Sequence, residues 1–174
     1  MPKWEKKSII EAEQRRIKGR EHMQLVTFSL NDTDYGIALK DVESIDNRKQ
    51  VVTVPTAPRY IRGIIRLHGE IVPVFRLAAR FGVEEGQIEN LIVVNVGGMK
   101  VGLEVGRVKE IVDIENAGML PMPVLVNSER NCFHDVASCK KELIVVLDVG
   151  SLISMEEQRQ LRRIIDEGRE NADA

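Results

Sequence analysis

Aromatic residues are scarce in this sequence, with four Phe, two Tyr and one Trp in 174 residues, so a core must be assembled from Val, Ile and Leu, which suits β-sheet. Cysteine is as rare. Cys132 and Cys139 are the only two, and with His134 between them a metal site there would still lack a fourth ligand of the usual kind. No metal and no disulfide are therefore expected. Charge of neither sign dominates: 25 Lys and Arg stand against 27 Asp and Glu, a net charge of −2, which gives no reason to invoke nucleic acid. No apolar run approaches the roughly 20 residues of a membrane span, and no charged segment followed by an apolar one opens the chain. The expected setting is cytoplasmic, with both thiols reduced and no direct membrane insertion.

Catalytic signatures are missing as well. There is no G-x-S-x-G elbow and no H-E-x-x-H, and Gly97-Gly98 with Gly102 and Gly106 falls inside an alternating strand pattern instead of opening a helix. Those glycines suit a turn and close strand contacts better than a phosphate loop. No catalytic residue and no cofactor are expected, and three classes stay open in decreasing order: an adaptor, a small-molecule-binding barrel, and an enzyme.

What is present is period-two patterning, repeated. Residues 1–21 form a charged extension, suited to a solvated helix or a loose arm. From Gln24 the texture alternates, with a strand over Leu25–Leu30, a polar turn at Asn31–Asp34 and a second strand over Tyr35–Leu39. Tyr35-Gly36-Ile37, Val42 and Ile45 recur as Val101-Gly102-Leu103, Val108 and Ile111, displaced by 66 residues. Ile61, Ile64, Ile71, Val72, Val74 and Phe75 recur as Phe133, Val136, Leu143, Ile144, Val146 and Leu147, displaced by 72. Two copies of one β module, roughly 22–84 and 85–153, explain this better than one large sheet, with a six-residue insertion in the weakly patterned loop 116–131. Ser154-Met155-Glu156-Glu157 reads as a capping box opening a helix over 154–167, with Leu161, Ile164 and Ile165 as its apolar face.

The stretch Val54–Gly82 is the most informative. Arg62 and Arg66 share one face of a strand if the alternation holds; His68-Gly69-Glu70 is a hairpin turn; and Ile71 to Phe75 is a strand carrying Pro73, a residue that belongs at an edge or bulge. Leu77–Phe81 is a single helical turn closed by Gly82. Gly63 and Gly69 are expected to be critical to the backbone. Arg62, Arg66 and His68 each read either as solvated surface or as partner contacts.

The pattern Y-I-R-G-I-x-x-L-x-G-x-I-V-P-V-x-x-L in this stretch resembles the CheW-like domain family, and the resemblance extends over about Leu25–Ile165. It implies a mainly β fold of two pseudo-symmetric five-stranded SH3-like β-barrels with a short C-terminal helix, in which edge strands can be exchanged between modules. It also implies a non-enzymatic adaptor that couples a chemoreceptor cytoplasmic tip to the regulatory domain of a CheA-type histidine kinase. The alternative is a β-barrel regulatory module binding a small molecule or a non-standard kinase partner. The family's partner-facing positions fall on Val42, Glu43, Ser44, Ile45, Gly63 and His68, with Gly102 and Ile111 as matching positions in the second half; Arg62 and Arg66 complete the candidate surface. The sequence departs from the family pattern where Ser44 stands for Glu, His68 for Arg and Arg76 for Asp.

Overall fold

Four two-residue turns fix the strand register. In the computed structural model, which describes residues 22–115, 118–121 and 133–172, they join β1 (His22–Leu30) to β2 (Thr33–Ala38), β4 (Ile61–Leu67) to β5 (Glu70–Arg76), β6 (Asn90–Val96) to β7 (Met99–Val105), and β10 (Phe133–Cys139) to β11 (Glu142–Leu147). The first turn residue has positive φ in all four, at Asn31, His68, Gly97 and Lys140, the conformation that matches the right-handed twist of the flanking strands. A 3-10 turn, Leu39–Asp41, leads into β3 (Val42–Asn47), and β8 (Arg107–Glu115) follows β7 after Gly106. The helix α1 (Leu77–Phe81) ends on Gly82 at φ 67°, as the sequence suggests.

The strands form a six-stranded sheet in the order β8-β1-β2-β11-β10-β9 and a five-stranded sheet in the order β3-β6-β7-β5-β4. Each sheet draws strands from both halves of the chain. The joins are parallel: Gly36 on β2 lies opposite Val146 on β11, and Gly102 on β7 lies opposite Val74 on β5. These two pairs are the same pair under the displacements of 66 and 72, with the halves exchanged. The antiparallel pairs obey the rule too, since Val42↔Val94 and Ile45↔Ile92 correspond to Val108↔Phe28 and Ile111↔Val26. Even the bulges correspond, the one between Ile61 and Gly63 matching that between Phe133 and Asp135.

Three apolar clusters follow from this layout. Leu25, Ala137, Ile144 and Val146 fill the first barrel, and their counterparts Leu91, Ile65, Val72 and Val74 fill the second. Between them lies a larger shared core that includes Phe28, Ile37, Phe75, Val94 and Leu103, roofed by α2 (Val149–Leu152) and α3 (Met155–Ala172). Alternation puts one face of each inner strand into its own barrel and the other into the shared core, so strands such as β5, β6 and β7 read as almost continuously apolar, whereas the edge strands β3 and β8 keep exposed positions.

Two expectations are corrected. Within 116–131, Met119–Pro121 forms the short strand β9, because the outer edge of β10 offers unpaired backbone groups and Pro121 is tolerated at an edge. The closing helix runs to Ala172, past the expected end at Glu167 and through Gly168, so that glycine does not end it. The Ser154 hydroxyl accepts from the Glu157 N–H at 3.1 Å, which is the first half of the expected capping box, while the Glu157 carboxylate meets Arg80 at 2.8 Å. The N-terminal extension, the rest of loop 116–131 and Cys132 lie outside the described residues.

Candidate partner-binding edges and a charged cleft

The candidate residues occupy separate parts of the surface. Val42, Glu43, Ser44 and Ile45 lie on β3, an edge strand bonded within its sheet to β6 alone, with side chains alternately half-buried and exposed. Ile45 is 41% exposed there, and its counterpart Ile111, on the edge strand β8 of the other sheet, is 54% exposed. Two apolar side chains at equivalent edge positions therefore face outward. Ser44 donates to Asp46 at 3.1 Å, and Glu43 accepts from Asn95 at 3.5 Å.

Along β4, at the opposite edge of the five-stranded sheet, Arg62 and Arg66 share one face as the alternation predicts, with Ile64 between them half-buried against the shared core. Arg66 is exposed. Arg62 sits at the bulge and donates to Glu104 on β7 and to Glu85 in the α1–β6 connection. His68 is exposed at φ 50°, followed by Gly69 at φ 80° with open space around it, so both belong to the turn the sequence placed there.

Gly63 and Gly102 are packing positions. The Val51–Val52 segment of the β3–β4 connection runs across β4, with Val52 bridged to Ile64, and a Cβ on Gly63 would collide with the Val52 carbonyl oxygen and lie 2.7 Å from a Val51 methyl. Gly102 is buried mid-sheet, where a Cβ would come within 3.0 Å of Leu91, so this candidate contact residue is enclosed by its own module. β7 is covered on both faces, so Gly102 acts there by letting the strands pack closely.

Sequence reasoning missed a cleft of about 800 Å³ between the β3–β4 connection and the ends of β4 and β5. Arg48, Lys49, Arg59, Arg62 and Arg76 line it, with Glu104, 3% exposed, among its lining residues. Arg76 reaches Glu85 at 3.5 Å, and its Nε is buried with no acceptor among the described residues. The available signal was an acid inside the apolar run of Val101–Val105 and a base directly after the β5 run, a charge pair that the parallel register places side by side. A second missed feature is Arg80. Its side chain is 2% exposed, donates to the Leu152 carbonyl at 2.9 Å and to Glu157, and lies over the Tyr60 ring, so it ties α1 to the closing helices.

At the hairpin ends two lysines are held above their ordinary pKa: Lys109 chiefly by its bond to Asp34 at 2.7 Å, and Lys100 chiefly by its bond to Glu70. Among the described residues no group of His, Cys, Asp and Glu could hold a metal ion. No helix among them is long and apolar enough to cross a membrane.

The CheW-like domain profile matches residues 24–157. The chain belongs to the CheW-like domain family. It is 29% identical over 152 residues to the chemotaxis protein CheW of Treponema pallidum, covering 83% of this chain and 89% of that protein. It is 27% identical to the chemotaxis protein CheW of Klebsiella aerogenes, covering 77% and 83%. Among solved structures, the scaffolding protein TtCheW from Thermoanaerobacter tengcongensis superposes with a TM-score of 0.72 at 27% identity, covering 78% of this chain and 90% of that one. The mainly β, two-barrel architecture is thus the CheW-like one. In this family member the barrel interiors are filled by side chains, and the open features are the strand edges and the charged cleft.

Proposed function

We propose that this protein is a non-catalytic, cytoplasmic adaptor of chemotaxis that couples a chemoreceptor tip to the regulatory domain of a CheA-type histidine kinase. The observation that carries this reading is the CheW-like scaffold over residues 24–157. The exposed Ile45 and Ile111 on edge strands support it, since an apolar side chain beside unpaired backbone groups is what a protein partner can cover. A small-molecule-binding barrel is disfavoured, because each barrel is packed with its own aliphatic side chains.

The proposed contact surface is Val42–Ile45 with Ile111 on the two edges, and Arg62, Arg66 and His68 along β4, with Gly63 and Gly102 shaping the strands behind them. Capture of the full chain by a CheA-type regulatory domain and by a receptor hairpin tip tests it. Ile45→Glu and Ile111→Glu are expected to weaken one or the other at least about fivefold, the loss typical of an interface anchor. His68→Arg is expected to preserve binding. Capture by neither partner, with a small molecule copurifying, overturns the adaptor reading.

A further inference from the structure

The charged cleft is not accounted for by packing. It gathers five cations in a chain whose net charge is −2. Two carboxylates serve them: Glu104 is bonded to Arg62, and Glu85 is shared between Arg62 and Arg76. Arg48, Lys49 and Arg59 are exposed and form no ion pair with any described residue. The Arg76 Nε is buried without an acceptor, so the cleft holds a donor whose desolvation nothing in the described chain offsets.

The shape points to an occupant longer than a single ion. The cations come from four separate places: the end of β3, the approach to β4, the β4 bulge and the end of β5. The wall between them is apolar, built from Val54, Pro55, Ala57 and Pro58. A small anion satisfies one guanidinium or two, whereas an extended peptide presents carboxylates at intervals and apolar side chains between them. Glu85 is the only acid reaching Arg76 among the described ion pairs, and it does so from a connection with no strand or helix around it. It stands where an incoming carboxylate would go.

We infer that this cleft receives an acidic, extended segment of a protein partner, and that Glu85 is a built-in competitor for the Arg62 and Arg76 guanidinium groups. The inference rests on the adaptor reading and gives the chemistry of one of its contacts. Peptide carboxylates would pair with Arg48 and Arg59 at the rim and give Arg76 Nε an acceptor.

The test is fluorescence anisotropy of the full chain with a fluorescein-labelled peptide of alternating Glu and Ala, its Gln-Ala counterpart, and inorganic phosphate as an unlabelled titrant. The Glu peptide is expected to bind, more weakly as salt rises, and the Gln peptide not to. Combining Arg48→Ala with Arg59→Ala is expected to weaken binding about tenfold, and Glu85→Gln to tighten it about threefold, the scale of exposed charge pairs. Thermal melts of each variant show whether the fold is intact, and Arg59→Glu provides a second loss at a site remote from any described contact. No binding of the Glu peptide, equal binding of the Gln peptide, or indifference to Arg48 and Arg59 overturns the site. Phosphate binding that depends on Arg48 and Arg59 without peptide binding overturns the peptide as occupant, and an unchanged affinity in Glu85→Gln overturns the competitor role. Neither kinase nor receptor enters the assay. Failure to capture those partners with peptide binding intact removes only the coupling proposal, and the reverse pattern removes only this cleft.

Discussion

Asp148 and Arg76 occupy the same place in the two modules and do opposite things. Asp148 follows β11 and caps α2, accepting from the Gly150 N–H at 3.1 Å and from the Ser151 hydroxyl at 2.7 Å. Arg76 ends β5 at the N-cap of α1 and makes no side-chain cap there. It turns instead toward Glu85 and the cleft. The strand beside each differs in step: the partner of Arg76 across the parallel register is Glu104, whose counterpart in the other module is Ala38. One module spends this corner on closing a helix, and the other on a charged network. The scaffold tolerates both because the corner lies at the rim, where water and long side chains can satisfy what the cap leaves open.

The two modules differ most in what they demand of Gly63. Its counterpart is Asp135, so the bulge itself does not require glycine; the Val51–Val52 segment crossing β4 does. Gly63→Ala is expected to cost about 3 kcal/mol or more in chemical denaturation, because backbone has to move, while Asp135→Ala stays within about 1 kcal/mol. Equal losses would mean that the glycine serves the bulge.

Next in size is the buried acid. Arg62→Ala leaves Glu104 enclosed without its partner and is expected to cost about 2 to 3 kcal/mol, whereas adding Glu104→Ala, which makes position 104 resemble Ala38, should recover most of that. A double-mutant cycle measures the recovery. Smaller again is the cap: Asp148→Ala should cost about 1 kcal/mol. Arg76→Asp should destabilise the native chain, by setting a second acid beside Glu104, yet stabilise it by about 0.5 to 1 kcal/mol once residues 62 and 104 are both alanine. A sign that does not change between the two backgrounds would detach Arg76 from the network.

The smallest effect separates the two equivalent hairpin tips. His68-Gly69 and Lys140-Lys141 have the same backbone, but Lys141 holds φ 67° with a side chain where the other turn has glycine at φ 80°. Lys141→Gly is expected to raise the stability by about 0.5 kcal/mol and Gly69→Ala to lower it by about 1 kcal/mol, both read from thermal midpoints.

Much of this architecture was legible because the repeat is written in apolar positions. The displacements of 66 and 72 in Val, Ile and Leu are the same displacements that relate the strand pairs, since alternation fixes which residues can face a shared core. The turn at His68-Gly69 and the Gly82 cap were legible for local reasons. The charged cleft was not, because Arg62, Arg76, Glu85 and Glu104 look like ordinary surface charges until parallel pairing brings β5 beside β7. Gly102 misled for a related reason: a glycine in a motif signals close approach, and here the approaching group is Leu91 of the same sheet.

Strand exchange between the halves also sets an order of events during synthesis. The five-stranded sheet ends with β7, so every strand it needs has been made by Val105. The six-stranded sheet begins with His22 and still lacks the strand that flanks β2 until Leu147 has been added. The β1–β2 hairpin, made first among the described strands, must therefore wait with the β2 edge open for a partner made more than half a chain later, and that edge is where the nascent chain is most exposed to pairing with the wrong strand.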